Sequence, residues 1–351
     1  MAKPTNITGL EIEPAAVHAA TVSVNGSLRI EHAAVAELEP GVVRDGEVQD
    51  VEGLAEALRV LFADHRDLDK RVRLGVANQK IVVRVIELPP IKDPKELEAA
   101  VRFQAQDAIA MPLDSAVLDW HALDVVPTDA GPRQRVLVVA ARRDMVDKVL
   151  AAARAAGLRP EGIDVSAFAM VRALHRASDA QGQAVLYLSI SGLTNLAVAE
   201  GTTCLFTRVV GGGLEAIAVE LAERRAMPLD AARALLHRVG LESTVLEEDE
   251  AAVDARAILQ DGVARIGGEV RNSLDFHAAQ DGSALTVAHA VITGAAAAVP
   301  GFAEALGTQL GMPVRRAEID GSPEGMDPGV LAVAAGLAVD EAPADTNGGR
   351  R

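Results

Sequence analysis

The sequence predicts an α/β protein of two lobes, with a small α+β domain inserted in the first, and three observations carry that prediction. A run of strand, turn, strand, tight turn and strand occurs at residues 7–30 and again at 185–210. A strand–Gly–helix unit follows late in the chain, from Val287 through Thr293-Gly294 to a helix stopped by Gly311. Between the two meanders, Gly75 to Asp124 reads as strand, capped helix and strand. No short repeat period points to a solenoid, so the repetition is that of a whole lobe.

Taken in order, residues 7–12 form a short apolar strand. Val17 to Val24 forms a second, turned at Asn25-Gly26 into Leu28–Ile30, because an Asn-Gly pair between alternating residues favours a hairpin. Val51, Leu54, Leu58, Leu61 and Phe62 have helical spacing within Val51–Ala63, and a charged loop leads to the strand Val72–Val76. In the insert, Asp93 stands at an N-cap, Pro94 at the first helical position and Glu96 three residues after the cap. Leu97, Ala100, Val101, Ala105, Ala108 and Ile109 then share one face, while Arg102, Phe103, Gln106 and Asp107 depart from it. Met111-Pro112 breaks the helix before another strand. The strand Val136–Ala140, a helix from about Arg142 to Ala156 with its Gly157 stop, the strand Ile163–Val165 and a helix over Ser166–Ala177 complete the first half.

The polar segment 178–182 marks the lobe boundary. Val185–Leu188, a turn over Ser189–Asn195, Leu196–Ala199, a Glu200-Gly201 turn and Leu205–Val210 repeat the opening pattern. Gly211-Gly212-Gly213 opens a helix, Pro228 and Asp230 start another, and an acidic run at Glu247–Glu250 leads into a long helical pattern through Phe276, weakened at Gly267-Gly268. After the strand–Gly–helix unit, Val314 starts a strand and Gly329–Val339 forms a final helix. The chain is thereby divided into the main part of the first lobe (1–79), the inserted domain (80–160), a return to the first lobe (161–180) and the second lobe (181–324), with a helical subdomain at about 212–262. The C-terminal helix (325–340) lies back on the first lobe, and the tail (341–351) is expected to be disordered.

Composition excludes several functions. With 351 residues, 49% hydrophobic and 24% charged, the chain can bury two cores, and at 2% aromatic these are built from Ala, Val and Leu. A net charge of −16 argues against nucleic acid, whose phosphates bind clustered Lys and Arg, and suits a basic peptide near a membrane instead. The single Cys204 forms no internal disulfide, and the eight His show no metal-ligand spacing. No metal site is predicted. No signal sequence is visible and the apolar runs are too short or broken to span a bilayer, so a reducing cytosol with membrane association through a partner is expected. Asp119 and His121 share one strand face but are expected to be solvated, Asp144, Asp147 and Lys148 belong to a helix surface, and Cys204 reads as a small core residue. No catalytic residue is assigned.

Four strings carry a family resemblance: Arg84-Val85-Ile86-Glu87-Leu88-Pro89, Glu98-Ala99-Ala100-Val101-Arg102-Phe103-Gln104-Ala105, Met111-Pro112-Leu113-Asp114 and Val117-Leu118-Asp119. With this order of parts, the sequence resembles the PilM family of type IV pilus assembly proteins. That resemblance spans roughly residues 7 to 340 and implies the two-lobed actin-like (ribonuclease-H-like) ATPase fold, with the small domain inserted in the first lobe. It implies a cytoplasmic adapter that takes the short N-terminal cytoplasmic peptide of a PilN-like membrane protein between the first lobe and the insert, and couples the pilus platform to its motor. Arg102, Phe103 and Gln106 are the candidate partner contacts. The alternatives on the same fold are an active ATPase and the corresponding cytoplasmic module of a type II secretion system.

The resemblance also implies a nucleotide cleft, and its turns depart from the family pattern. After Gly9, where the family carries Gly-x-Asp/Glu-Ile-Gly with hydroxyl residues and a Lys, this chain has Leu10-Glu11-Ile12-Glu13-Pro14-Ala15, with His18 in place of the Lys. Glu13 adds charge beside a phosphate and Pro14 removes a backbone donor. In the second turn Ser189 stands for the metal-holding Asp, by an alignment with one deletion, among Ser191, Gly192 and Thr194. Gly212, Gly213, Glu269, Gly294 and Ala295 form the better-kept nucleoside half. Their plain alternative is that they serve only as turn and cap positions. ATP with magnesium is the implied cofactor; with these turns the expectation is at most ATP binding, without hydrolysis.

Overall fold

The computed structural model describes residues 7–25, 27–129, 131–176, 183–242, 246, 248–281, 286–321 and 326–341. The expected Gly26 turn position, the 178–182 boundary, Glu247 of the acidic run and the tail from 342 onward lie outside them. The chain opens with the antiparallel meander β1 (Thr8–Ile12), β2 (Ala16–Val24) and β3 (Leu28–Glu37), followed by the two-residue strands β4 (Val43–Arg44) and β5 (Glu47–Val48). Helix α1 (Val51–Asp64) begins where the Asp50 carboxylate accepts the N–H groups of Glu52 and Gly53, and β6 (Arg71–Val76) runs parallel to β1.

The insert consists of β7 (Val82–Leu88), α2 (Pro94–Ala108), β8 (Ala116–Thr128) and β9 (Gly131–Arg142), its strands forming one antiparallel sheet in the order β7-β9-β8. Asp93 caps α2 by accepting the N–H groups of Lys95 and Glu96. Leu97, Val101 and Ala105 pack on Ile86, Leu88, Val136, Val138 and Ala140 of the sheet. Helix α3 (Arg143–Ala155) returns the chain to the first lobe through β10 (Arg159–Val165), parallel to β6, and α4 (Ser166–Leu174) leads away.

The second lobe repeats the plan with β11 (Ala184–Ile190), β12 (Thr194–Glu200), β13 (Thr203–Val210), α5 (Leu214–Arg225), α6 (Leu229–Val239), α7 (Glu250–Asp281), β14 (Val287–Thr293), α8 (Phe302–Leu310) and β15 (Val314–Arg316). A 3-10 turn, Pro328–Leu331, precedes α9 (Ala332–Leu337). Strand order is β3-β2-β1-β6-β10 in one sheet and β13-β12-β11-β14-β15 in the other, with the same antiparallel and parallel pairings at matching positions. The duplication predicted from the two meanders is therefore a duplication of sheet topology.

The sheet of each lobe is covered on both faces. In the first lobe α1 and α3 bury Leu54, Leu58, Leu61, Met145 and Val149 against Leu10, Val72 and Leu74. In the second, α5, α6, α7 and α8 bury Ile217, Leu236, Ile258, Phe302 and Leu306 against Leu186, Leu188 and Ile292. The remaining two faces are joined by α4 and α9. Helix α4 packs Met170 and Val171 on Tyr187 and Ala197, while Ala334 and Ala335 of α9 lie on Ala20 and Val22.

Those two helices touch at very short range. A Cβ at Gly336 would land on the carbonyl oxygen of Ala169, and a Cβ at Gly9 on that of Ala334. Only glycine permits such backbone contact. Gly9, expected at a phosphate turn, thus sits within β1 as a packing residue, four places before the turn begins at Glu13.

Five expectations are corrected. β3 runs on to Glu37, because its buried positions Ala33 and Ala34 keep it against β2. Ser189-Ile190 and Thr194-Asn195 belong to paired strands, which confines the expected seven-residue turn to Ser191–Leu193. Gly267-Gly268 lies within an unbroken α7, where a Cβ at Gly267 would lie 2.8 Å from Gln309 of α8, so the glycine serves approach of a neighbour. Helix α4 ends at Leu174, and the last helix is α-helical only from Ala332.

Replacing Gly336 by Ala forces α4 and α9 apart. We expect a loss of about 1–3 kcal/mol, the usual cost of overpacking a filled core, measured as a lower midpoint in urea unfolding with an unchanged slope.

Candidate functional site

Two concavities hold the candidate chemistry. The first is a cleft of about 490 Å³ lined by Gln79 of the first lobe and by Thr194, Arg208, Gly211, Gly212, Gly213, Arg265 and Glu269 of the second. It brings together four of the sequence-predicted residues: Thr194, Gly212, Gly213 and Glu269. The Thr194 hydroxyl donates to the Gly212 carbonyl at 2.9 Å, holding the glycine run to the strand. A Cβ at Gly213 would press on the Ser191 and Leu193 carbonyls, so α5 starts directly against the second turn.

Ser189, Ser191, Gly192, Gly294 and Ala295 are not among the residues lining that cleft. Ser189 is buried within β11, opposite Asn195 and Thr293. The Ala295 N–H donates to Ser191 Oγ at 3.0 Å, and Gly294, at φ +82°, fits because a Cβ there would meet Ser191 Oγ at 2.7 Å and the Ile190 backbone at 2.9 Å. The second turn and the Gly294 loop are therefore closed on one another.

The turn between β1 and β2 completes the closure. Glu13 reaches across the lobes, and its Oε2 accepts the N–H of Gly192 at 3.5 Å, with the Ser191 hydroxyl also supporting the carboxylate. Pro14 lies on Gly192, its Cδ 2.8 Å from where a Cβ would be. Burial pushes the Glu13 carboxyl up to about 7 against those hydrogen bonds, and the Glu215 carboxylate pushes the same way. Burial, and then Glu13 itself, raises Glu11 well above the carboxylate range, and burial lowers His18, whose Nδ1 lies 3.6 Å from Glu11, to about 4.

ATP with magnesium does not fit the phosphate end. A side-chain carboxylate already takes the turn's N–H, proline fills the space beside it, and no carboxylate stands at Ser189 to hold a cation. Among the described residues no group of three or more His, Cys, Asp or Glu is placed for a metal ion.

The second concavity, about 740 Å³, lies between the insert and the first lobe. Val117, Leu123, Leu137 and Val139 contribute from β8 and β9, Val76, Ile163 and Val165 from β6 and β10, and Phe168 and Arg172 from α4. Asp119, His121, Asp164, Asp340 and Glu341 add polar groups, and the Arg172 guanidinium pairs with Asp164 while donating to the Gly336 carbonyl at 3.1 Å. Cys204 also lines it, but burial pushes the thiol up to about 12, so it is no nucleophile. Asp144 pairs with Arg142 on the surface of α3.

Arg102, Phe103 and Gln106 lie on the exposed side of α2, across the three-stranded sheet from this groove, with Phe103 70% exposed. Sequence reasoning missed the groove residues, although one signal existed. Val136–Ala141 is apolar at every position, so β9 needs cover on both faces; α2 covers one and the groove is the other.

Comparison with known proteins decides the family. A family model described as type IV pilus assembly protein PilM matches residues 9–320. The chain belongs to the PilM family. Among solved structures, a PilM-PilN type IV pilus biogenesis complex is similar at 27% identity, with 95% of this chain and 97% of that chain covered and a TM-score of 0.76. The ethanolamine utilization protein EutJ from Carboxydothermus hydrogenoformans (16% identity, 96% and 89% covered, TM-score 0.53) and MreB5 of Spiroplasma citri bound to ADP (11%, 95% and 94%, TM-score 0.52) share the two-lobed actin-like fold. No helix among the described residues is long and apolar enough to cross a membrane.

Glu13 makes a testable contribution to stability. Its carboxyl holds a proton more tightly in the folded protein, at about 7, than in the unfolded chain, at the ordinary carboxyl value of 4.5, so the contribution is complete below about pH 4.5 and is lost as pH rises through 7. His18 acts with the opposite sign but is common to wild type and Glu13→Gln. The unfolding free energy of wild type minus that of Glu13→Gln should fall between pH 4.5 and 7 and then level off; a difference that grows with pH contradicts the assignment.

Proposed function

We propose that this PilM-family chain is a cytoplasmic adapter of the type IV pilus assembly platform, binding the N-terminal cytoplasmic peptide of a PilN-like membrane protein in the groove between its first lobe and its insert. The observation that carries this reading is the groove itself: an apolar floor in a concavity of about 740 Å³, with acidic residues among its lining, in a chain similar over 95% of its length to a PilM-PilN complex. Apolar side chains of the peptide enter between Leu137, Val139, Ile163 and Phe168, and basic ones meet Asp119, Asp340 and Glu341. Association with the membrane comes through that partner.

The nucleotide cleft has no catalytic part in this reading. Ser189 offers no charge to hold magnesium, and the phosphate end is closed by Glu13 and Pro14, so ATP hydrolysis is not expected and ATP binding is at most weak. Gly212, Gly213, Thr194 and Glu269 remain as walls of the nucleoside end. The exposed Phe103 favours one other docking face, the outer side of α2 with Arg102 and Gln106.

The experiment is a titration of the full chain with the N-terminal peptide of the small membrane protein encoded beside it. Wild type should bind at about 10–50 µM, in the range of a short peptide that orders on binding. Leu123→Asp in the groove should weaken binding at least about tenfold, by setting a charge against an apolar ligand, and Phe103→Ala should leave it unchanged. Loss with Phe103→Ala alone moves the site to α2; no binding by wild type at 500 µM, roughly ten times the weakest expected value, removes the adapter reading.

A further inference from the structure

We infer that the Glu13 carboxyl group occupies the cleft's phosphate seat and so decides which ligands the cleft admits. A tight turn with a free N–H at a helix start is built for an anion. Here that turn is Ser191–Leu193, with the start of α5 behind it, and the group on the Gly192 N–H is a carboxylate supplied by the other lobe, 3.5 Å away. Pro14, next in sequence, rests on the same glycine, so the two turns meet with no phosphate-sized space between them. The Ser191 hydroxyl, the donor a phosphate would need, is turned to the Glu13 carboxyl, while its oxygen accepts the Ala295 N–H.

Charge reinforces the geometry. Glu11 lies two residues before Glu13, and Glu215 in the first turn of α5 faces it from the second lobe. The nearby Arg233 guanidinium is held by Glu215, to whose oxygens it donates at 2.6 and 2.9 Å. A polyphosphate entering the seat would displace the Glu13 carboxyl and stand beside the Glu215 carboxylate. The nucleoside end, lined by Gln79, Arg208 and Glu269, stays open. A ligand can enter there as a nucleoside, whereas a triphosphate requires Glu13 to withdraw. This rests on the reading that the cleft derives from a nucleotide site, and it is independent of the peptide groove.

The test uses the full chain as wild type, Glu13→Gly and Glu13→Gln, titrated with a fluorescent ATP analogue and magnesium, with adenosine as competitor. Removing the carboxylate should tighten triphosphate binding at least about tenfold in Glu13→Gly, and removing only its charge should give a smaller gain in Glu13→Gln. Adenosine affinity should be the same in all three. Thermal melting reports whether each variant is folded, and Glu13→Gln, which keeps the side chain's size, carries the test if the glycine variant is not. Equal triphosphate affinity in wild type and the folded variants overturns the inference, as does an equal gain for adenosine, which would mean general loosening. Peptide affinity in the same preparations bears on the adapter reading alone.

Discussion

The backbone contact of α4 with α9, and of α9 with β1, is the constraint on which the rest of the molecule depends. Both sheets lay an apolar face toward the same narrow space, and two short alanine-rich helices must fill it. Without side chains at Gly336 and Gly9, the backbones come close enough for the two lobes to share one interior. The C-terminal carbonyls of α9 are then taken by arginines: Arg73 donates to Leu337 and Val339 at 3.1 and 2.8 Å, and Arg172 to Gly336. Arg172 also lines the groove between the insert and the first lobe, so the packing that joins the lobes fixes one wall of that groove.

The same helix pair reaches the cleft. Just before α9, the Gly329 carbonyl accepts the Thr293 hydroxyl and the Gly294 N–H, tying the segment leading into α9 to the loop that closes on Ser191. Cleft and groove are thus two ends of one packed unit. They differ in where their acidic side chains stand. At the cleft, Glu11, Glu13 and Glu215 converge where an anionic ligand would sit; at the groove, acidic groups are among the lining of an apolar floor.

Most of the fold was legible because each local signal agreed with the tertiary one. Asp93 is a cap in sequence and in structure, the helical stripe of α2 is the face buried on the sheet, and the repeated meander gives the repeated strand order. What sequence could not show was distance. Gly9 reads as a turn glycine because its neighbours resemble a phosphate loop, yet its reason for being glycine is a helix more than three hundred residues away in the chain. Glu13 was recognisable as a departure from the pattern, but nothing local says that its carboxylate crosses to Gly192. Phe103 was singled out because it leaves the packing face of α2; which side of the sheet faces the first lobe is decided by α3 and β10, and no pattern within α2 records it.

A carboxylate in the phosphate seat also bears on how the two sites are coupled. In a two-lobed cleft, a ligand that bridges the lobes changes their relation only to the extent that it binds one arrangement better than another. Here the bridge from Glu13 to Gly192 is covalently part of the chain, so its effective concentration is fixed and no free ligand is needed to form it. The closed relation of the lobes, and with it the groove wall built on Arg172 and Phe168, is then set by folding. For the adapter proposed above, that arrangement makes the groove wall independent of any nucleotide in the cleft.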